Sequence, residues 1–227
     1  IPVIQPSQTA CFQCSSNILS TVPRVDGLTP VMVHDGVALY PWATVSPMMT
    51  WMSQFQADIR LATPGGFERF ATLGVIASVQ PTHATSDKNM AGDRLGEARL
   101  AGAYAWQSLL DSGARVAFGS DFPVEDPNPF FGLHAAVTRQ DREGEPPGGW
   151  RPAEKLDRAT ALSLFTEGAA WAMHAEARLG RLLPGYAADF ILVRDDPFAV
   201  PAGDLWRNAV LATWMDGREV WSANSGE

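Results

Sequence analysis

The chain has 227 residues, of which 46% are hydrophobic and 19% charged, and a formal net charge of −8 at pH 7. That is enough for one large α/β domain or two small ones around a substantial buried core, with the composition of a soluble globular protein. The acidic balance excludes a nucleic-acid surface, which needs clustered Lys and Arg, and no apolar run approaches the roughly 20 residues of a membrane span.

The chain opens Ile1-Pro2-Val3, with no basic stretch ahead of an apolar one. No signal peptide is legible, so a cytoplasmic location is expected, with export of a parent protein left open. The first 60 residues hold only five charged side chains (Arg24, Asp26, Asp35, Asp58 and Arg60) and no Lys or Glu. Helical periodicity is hard to find there, and residues 1–60 read as loops and short irregular strands that stay unassigned. One explanation is a frame error or splice, which comparison of the coding DNA in three frames would test. Within this stretch Cys11 and Cys14 make a Cys-x-x-Cys pair. Zinc there would need two further ligands, and redox work a neighbouring βαβ pattern that is not legible, so a metal or redox role is the weaker reading. His34 ends the strand-like run Val31-Met32-Val33-His34-Asp35 and is a candidate metal ligand.

Beyond residue 60 the pattern sharpens. Phe67 to Leu73 reads as the end of a helix stopped by Gly74. Val75 to Val79 is a nearly continuous apolar run, the mark of a strand buried on both faces. Gln80 to Asp87 reads as a polar loop, Glu97 to Asp111 as a helix ended at Gly113, and Arg115 to Gly119 as a second strand. A strand, helix, strand crossover favours parallel pairing with a right-handed connection, which brings residues 80–87 and Asp121 to one sheet edge. Phe131 to Val137 reads as a short helix that packs His134 inward, and Leu156 to Met173 as a longer one followed by a structural His174. Phe190 to Val193 reads as a strand, and Asp216-Gly217, flanked by two more apolar runs, is a strong hairpin signal.

Asp121 stands where the run Val116-Ala117-Phe118 gives way to the small residues Gly119 and Ser120. Strand C-termini collect catalytic groups in α/β folds, and a carboxylate there needs a metal, a proton or a hydrogen-bond partner. The competing reading is an N-cap, since Asp opens turns and caps helices. His83 offers an imidazole for substrate, proton or metal, with a plain surface histidine as the alternative. No Gly-x-Gly-x-x-Gly, phosphate-binding loop or Gly-x-Ser-x-Gly elbow is present, so nucleotide binding and serine hydrolysis lack local support.

With these residues in view, 66–221 resembles the C-terminal part of the amidohydrolase superfamily, and more narrowly amidohydrolase family 3, the YtcJ-like metal-dependent hydrolases. Leu73 to Asp87 resembles the family's seventh-strand segment, Phe118 to Val124 its eighth, and Leu179 to Asp189 the return to its β-sandwich. The resemblance implies an α/β fold: the C-terminal part of a (β/α)8 TIM-like barrel over 61–174 and part of a small β-sandwich over 175–227. It implies a hydrolase that cleaves carbon–nitrogen bonds other than peptide bonds in a small amide-like substrate, using water activated by a divalent metal, commonly zinc. Asp121 would be the catalytic acid and a metal contact, with Gln80, His83 and Asp87 toward the substrate and His34 as a further ligand. No nucleic-acid or membrane partner is implied, and a homo-oligomer is compatible. The chain departs from the family at its ligands: it has no His-x-His pair, and Asp58 to Ala62 stand where a sixth-strand histidine belongs. An incomplete version of the enzyme is therefore expected, with a non-catalytic remnant or a binding module as the alternatives.

Overall fold

The computed structural model describes residues 64–223 and two short antiparallel strands, β1 (Met32–His34) and β2 (Val37–Leu39). Cys11, Cys14 and most of the first 60 residues lie outside the described residues. From residue 64 the elements run α1 (Pro64–Leu73), β3 (Ile76–Val79), α2 (Pro81–Leu95), α3 (Glu97–Leu100), α4 (Trp106–Asp111), β4 (Arg115–Phe118) and α5 (Pro129–Thr138). Then come α6 (Arg158–Ser163), a π-helical turn (Leu164–Gly168), α7 (Ala169–Ala172), β5 (Phe190–Val193), a 3-10 turn (Ala202–Arg207), β6 (Val210–Met215) and β7 (Arg218–Ser222).

The crossover expected from the apolar runs is present. β3 and β4 pair in parallel with Ile76 opposite Arg115 and Val79 opposite Phe118. Both strands are buried over their last three residues, which is why they read as nearly continuous apolar runs. Their shared core is built on Phe118, which takes Trp106 edge-on at 6.0 Å and Phe165 at 5.3 Å. Sealing one such aromatic ring from water stabilises the fold by about 2–3 kcal/mol. Helix and strand also press together at Gly168, where an added Cβ would lie 2.6 Å from the Val116 carbonyl oxygen, so only glycine fits there.

Residues 80–87 are not a loop. Pro81 opens α2, a helix of 15 residues. The segment Thr82-His83-Ala84-Thr85-Ser86 lacks apolar periodicity, yet proline is well suited to the first helical turn, where its missing N–H costs nothing. The helix expected over 97–111 is interrupted after Leu100: Tyr104 takes a positive φ of 51°, and the chain resumes as α4. The α4 N-terminus lacks a side-chain cap of its own, because its N-cap is Ala105. Glu154 fills that role from 46 residues away, accepting the backbone N–H of Gln107 at 2.8 Å and of Ser108 at 3.1 Å, and the Ser108 hydroxyl at 2.6 Å. The helix expected over 156–173 begins at Arg158, with Asp157 as its N-cap accepting the Thr160 N–H at 2.9 Å.

Near the C-terminus β5, β6 and β7 form an antiparallel sheet in that order. The Asp216-Gly217 turn has both residues at positive φ, 49° and 71°, as a tight hairpin matched to strand twist requires. Ile191, Val193 and Val210 pack on the same core as Phe118 and Leu205. Phe190 stacks flat on Trp214 across the strands. No helix of the described residues is long and apolar enough to cross a membrane.

Candidate active site at the ends of β3 and β4

The two parallel strands stop side by side, and the Gly119 N–H still reaches the Val79 carbonyl at 3.2 Å. Two residues later the chain turns sharply. Asp121 sits in the left-handed region at φ 59°, and its carbonyl accepts the Val124 N–H at 2.8 Å. Asp121 thus precedes a turn and caps no helix: the N-cap of the next helix is Asn128, whose side chain accepts the Phe130 N–H. Aspartate tolerates this backbone conformation better than most residues, and non-glycine residues held there are enriched at active sites.

The sequence following β3 delivers the partner. Gln80 is the N-cap residue of α2 and His83 the third residue of that helix, so both lie on the strand-end face. His83 is buried, and its Nε2 lies 3.7 Å from Asp121 Oδ2, whose side chain is 17% exposed. The imidazole lies in the first turn of α2 and faces the carboxylate across that gap. Solvent reaches the carboxylate while the ring stays covered. That arrangement can accept a proton from a water on the open side and hold it between two groups.

The other expected residues separate. Asp87 follows one turn after His83 on α2, where its Oδ2 accepts the Tyr104 hydroxyl at 2.6 Å. Gln80 is buried beside the strand end. His134 is packed as expected, with Nδ1 3.2 Å from the Ala202 carbonyl and Nε2 3.1 Å from that of Asp141. His174 is exposed just past α7. His34 ends β1, and its side chain lies outside the described residues.

A catalytic zinc ion takes about three protein ligands and a water. Among the described residues no group of three or more His, Cys, Asp and Glu side chains is placed to hold a metal ion. Asp121 and His83 supply at most two donors, so the described residues by themselves do not fit the ion.

Sequence reasoning missed the buried polar cluster behind the site. Arg139, fully buried at the C-terminus of α5, donates Nε–H to the Trp150 carbonyl at 2.8 Å and Nη1–H to that of Tyr104 at 2.9 Å. Its guanidinium lies 4.1 Å over the Trp106 ring and 5.3 Å from that of Trp150. Burial pulls its pKa down to about 9, which still leaves a cation at neutral pH, steadied by the two indoles and the helix C-terminus. The Gly148-Gly149-Trp150 stretch that holds it was legible only as a loop.

A parallel βαβ unit with an acid and an imidazole facing each other at its strand ends is an α/β arrangement, and those strand ends are the candidate site. A model of the amidohydrolase family matches residues 57–221, and the chain belongs to that family. It is 33% identical over 154 residues to the YtcJ protein of Bacillus subtilis (strain 168), a match covering 68% of this chain and 29% of that protein. It is 31% identical over 111 residues to the N-substituted formamide deformylase of Arthrobacter pascens, covering 49% of this chain and 20% of the relative. Among solved structures, an uncharacterized metal-dependent hydrolase from Pyrococcus horikoshii OT3 superposes with a TM-score of 0.57 at 31% identity, covering 64% of this chain and 29% of that one. The matched part of the chain therefore spans less than a third of the length of these relatives.

Proposed function

We propose that this chain carries the closing strands of a (β/α)8 barrel, with part of a β-sandwich, from a hydrolase that cleaves carbon–nitrogen bonds in small amides. The observation that carries this reading is the His83–Asp121 contact at the ends of two parallel strands. Family membership and the deformylase relative support the reaction class. In this reading Asp121 takes a proton from the attacking water and returns it to the departing nitrogen, and each transfer of this kind is worth about 10²–10⁴ in rate. His83 steadies the carboxylate during that cycle. Gln80 and Asp87 are the further substrate contacts in this reading, Gln80 from its buried place at the strand end and Asp87 with one oxygen engaged by Tyr104. The divalent metal used by relatives, with zinc the first choice, requires ligands beyond the described residues, of which His34 is the candidate from the sequence.

The test is hydrolysis of short N-formyl and N-acetyl amines by the purified protein supplied with zinc. Turnover that falls at least 100-fold in Asp121→Asn, with the melting temperature unchanged, supports the reading. Equal turnover in the variant overturns it.

A further inference from the structure

His134 is buried on α5 and takes no part in the chemistry above, yet both of its ring nitrogens face oxygen acceptors. Nδ1 lies 3.2 Å from the Ala202 carbonyl oxygen, and Nε2 lies 3.1 Å from that of Asp141. The Thr138 hydroxyl, 3.4 Å from Nε2, gives its own proton to the His134 carbonyl at 2.7 Å and takes the Gln140 N–H at 3.1 Å. It therefore turns only a lone pair to the ring. Neither carbonyl has a proton to give. A neutral imidazole carries one N–H, so it satisfies one of the two carbonyls and sets a ring lone pair against the other. The imidazolium donates to both.

We propose that His134 is a proton-operated pin: the charged ring ties the 3-10 turn Ala202–Arg207 to the loop after α5, and loss of one ring proton releases one of the two ends. That turn packs along α5 and leads into β6. At the other end Asp141 meets the ring with its backbone carbonyl, while its carboxylate takes Lys88 of α2 at 2.7 Å. Lys88 follows His83 on the same helix. One ring proton thus sits between the connector of the C-terminal sheet and the helix that carries His83. Charged groups on the elements packed against α5 have other partners or face solvent. On α2, Lys88 is bonded to Asp141, Asp87 to Tyr104, and His83 faces Asp121, while Asp93 and Arg94 are exposed. On the 3-10 turn Asp204 pairs with Arg207 at 3.4 Å, and on α6 Arg158 donates to the Pro197 carbonyl. In the loop after α5, Arg139 and Arg142 lie over aromatic rings, and Glu143 and Glu145 are exposed. A buried cation without a facing carboxylate is costly, so the two carbonyls favour the ring proton and burial opposes it. A change of pH tips that balance.

The test is a titration of the whole chain between about pH 5 and 8, followed in ¹H–¹⁵N spectra of the histidine rings and the backbone. His134 should pass from two ring N–H groups to one as the pH rises. The backbone amides of Gly203 and Asp204, or those of Asp141 and Arg142, should shift with the same midpoint, and which pair moves identifies the end that lets go. The exposed His174 is the internal reference, and its titration should leave both pairs still. In His134→Gln the coupled shifts should vanish although the Asp141 and Asp204 carboxylates remain. A ring proton count that stays constant across the range overturns the pin, whether one proton or two. Titration of His134 that moves neither pair of amides also overturns it, as do coupled shifts that persist in His134→Gln. Should that variant fail to fold, the wild-type titration decides by itself. None of these readouts needs turnover, so the outcome is independent of the hydrolase reading.

Discussion

Arg139 and Glu154 are buried about as deeply as His83, at 0% and 5% exposure against 3%, yet the two regions use burial differently. Arg139 spends two donors on the carbonyls of Tyr104 and Trp150, and Glu154 spends its carboxylate on the first turn of α4. Their partners are backbone groups, two indoles and the Ser108 hydroxyl of the protein itself, so these charges fasten a broken helix and a glycine-rich loop to the core. His83 instead meets an acid that is partly open to solvent, on the face where two parallel strands end. A buried polar group therefore signals function by what it faces, and depth alone does not separate the two kinds.

Substitutions should divide along the same line. The largest loss of stability belongs to Arg139→Ala, which leaves two buried carbonyls without donors and a cavity between two indoles. Chemical denaturation should show a loss of about 3–5 kcal/mol, and a loss below 1 kcal/mol would dissolve the contrast. Glu154→Ala should follow at about 2 kcal/mol, since it strips the side-chain cap that Glu154 gives α4, and the helix signal in circular dichroism should drop with it. Asp121→Asn should change stability by no more than about 0.5 kcal/mol in the same assay, because groups kept for chemistry are rarely kept for stability.

The smallest effect concerns pH. Asp141 is slightly desolvated, which alone would raise its pKa, but the hydrogen bond from Lys88 and the backbone N–H groups of Glu145 and Glu143 hold it below the ordinary carboxylate value. A depressed folded-state value means stability that is present above the unfolded pKa of about 3.9 and is lost as the pH falls through the folded value. Asp141→Asn should flatten the acid limb of the stability curve between about pH 5 and 2 and leave neutral stability nearly unchanged. An acid limb identical to wild type would show that the Lys88 bridge between α2 and the loop after α5 contributes nothing.

Local chemistry carried much of the fold into the sequence. The strands at 76–79 and 115–118 are nearly continuous in apolar residues because both of their faces are covered over the last three positions, and the Asp216-Gly217 turn follows from backbone geometry alone. The position of Asp121 at a strand end followed from the same reasoning. The start of α2 reads as a loop in the sequence because Thr82, His83, Thr85 and Ser86 are polar, although Pro81 is the available helix-start signal. The interruption at Tyr104 had no signal: its left-handed backbone is held by a carbonyl bond to Arg139, 35 residues on.

The sequence by itself determined which segments are strands, that the two central ones run parallel, and that an acid and a histidine share their edge. Those properties depend on neighbours a few residues away, through periodicity, turn chemistry and the handedness of the crossover. Only the tertiary structure decided that His83 meets Asp121 while Asp87 turns to Tyr104, and that Glu154 caps a distant helix. Each of those outcomes depends on which side chains the packed fold brings together from distant parts of the chain, and helical or strand spacing carries no record of that.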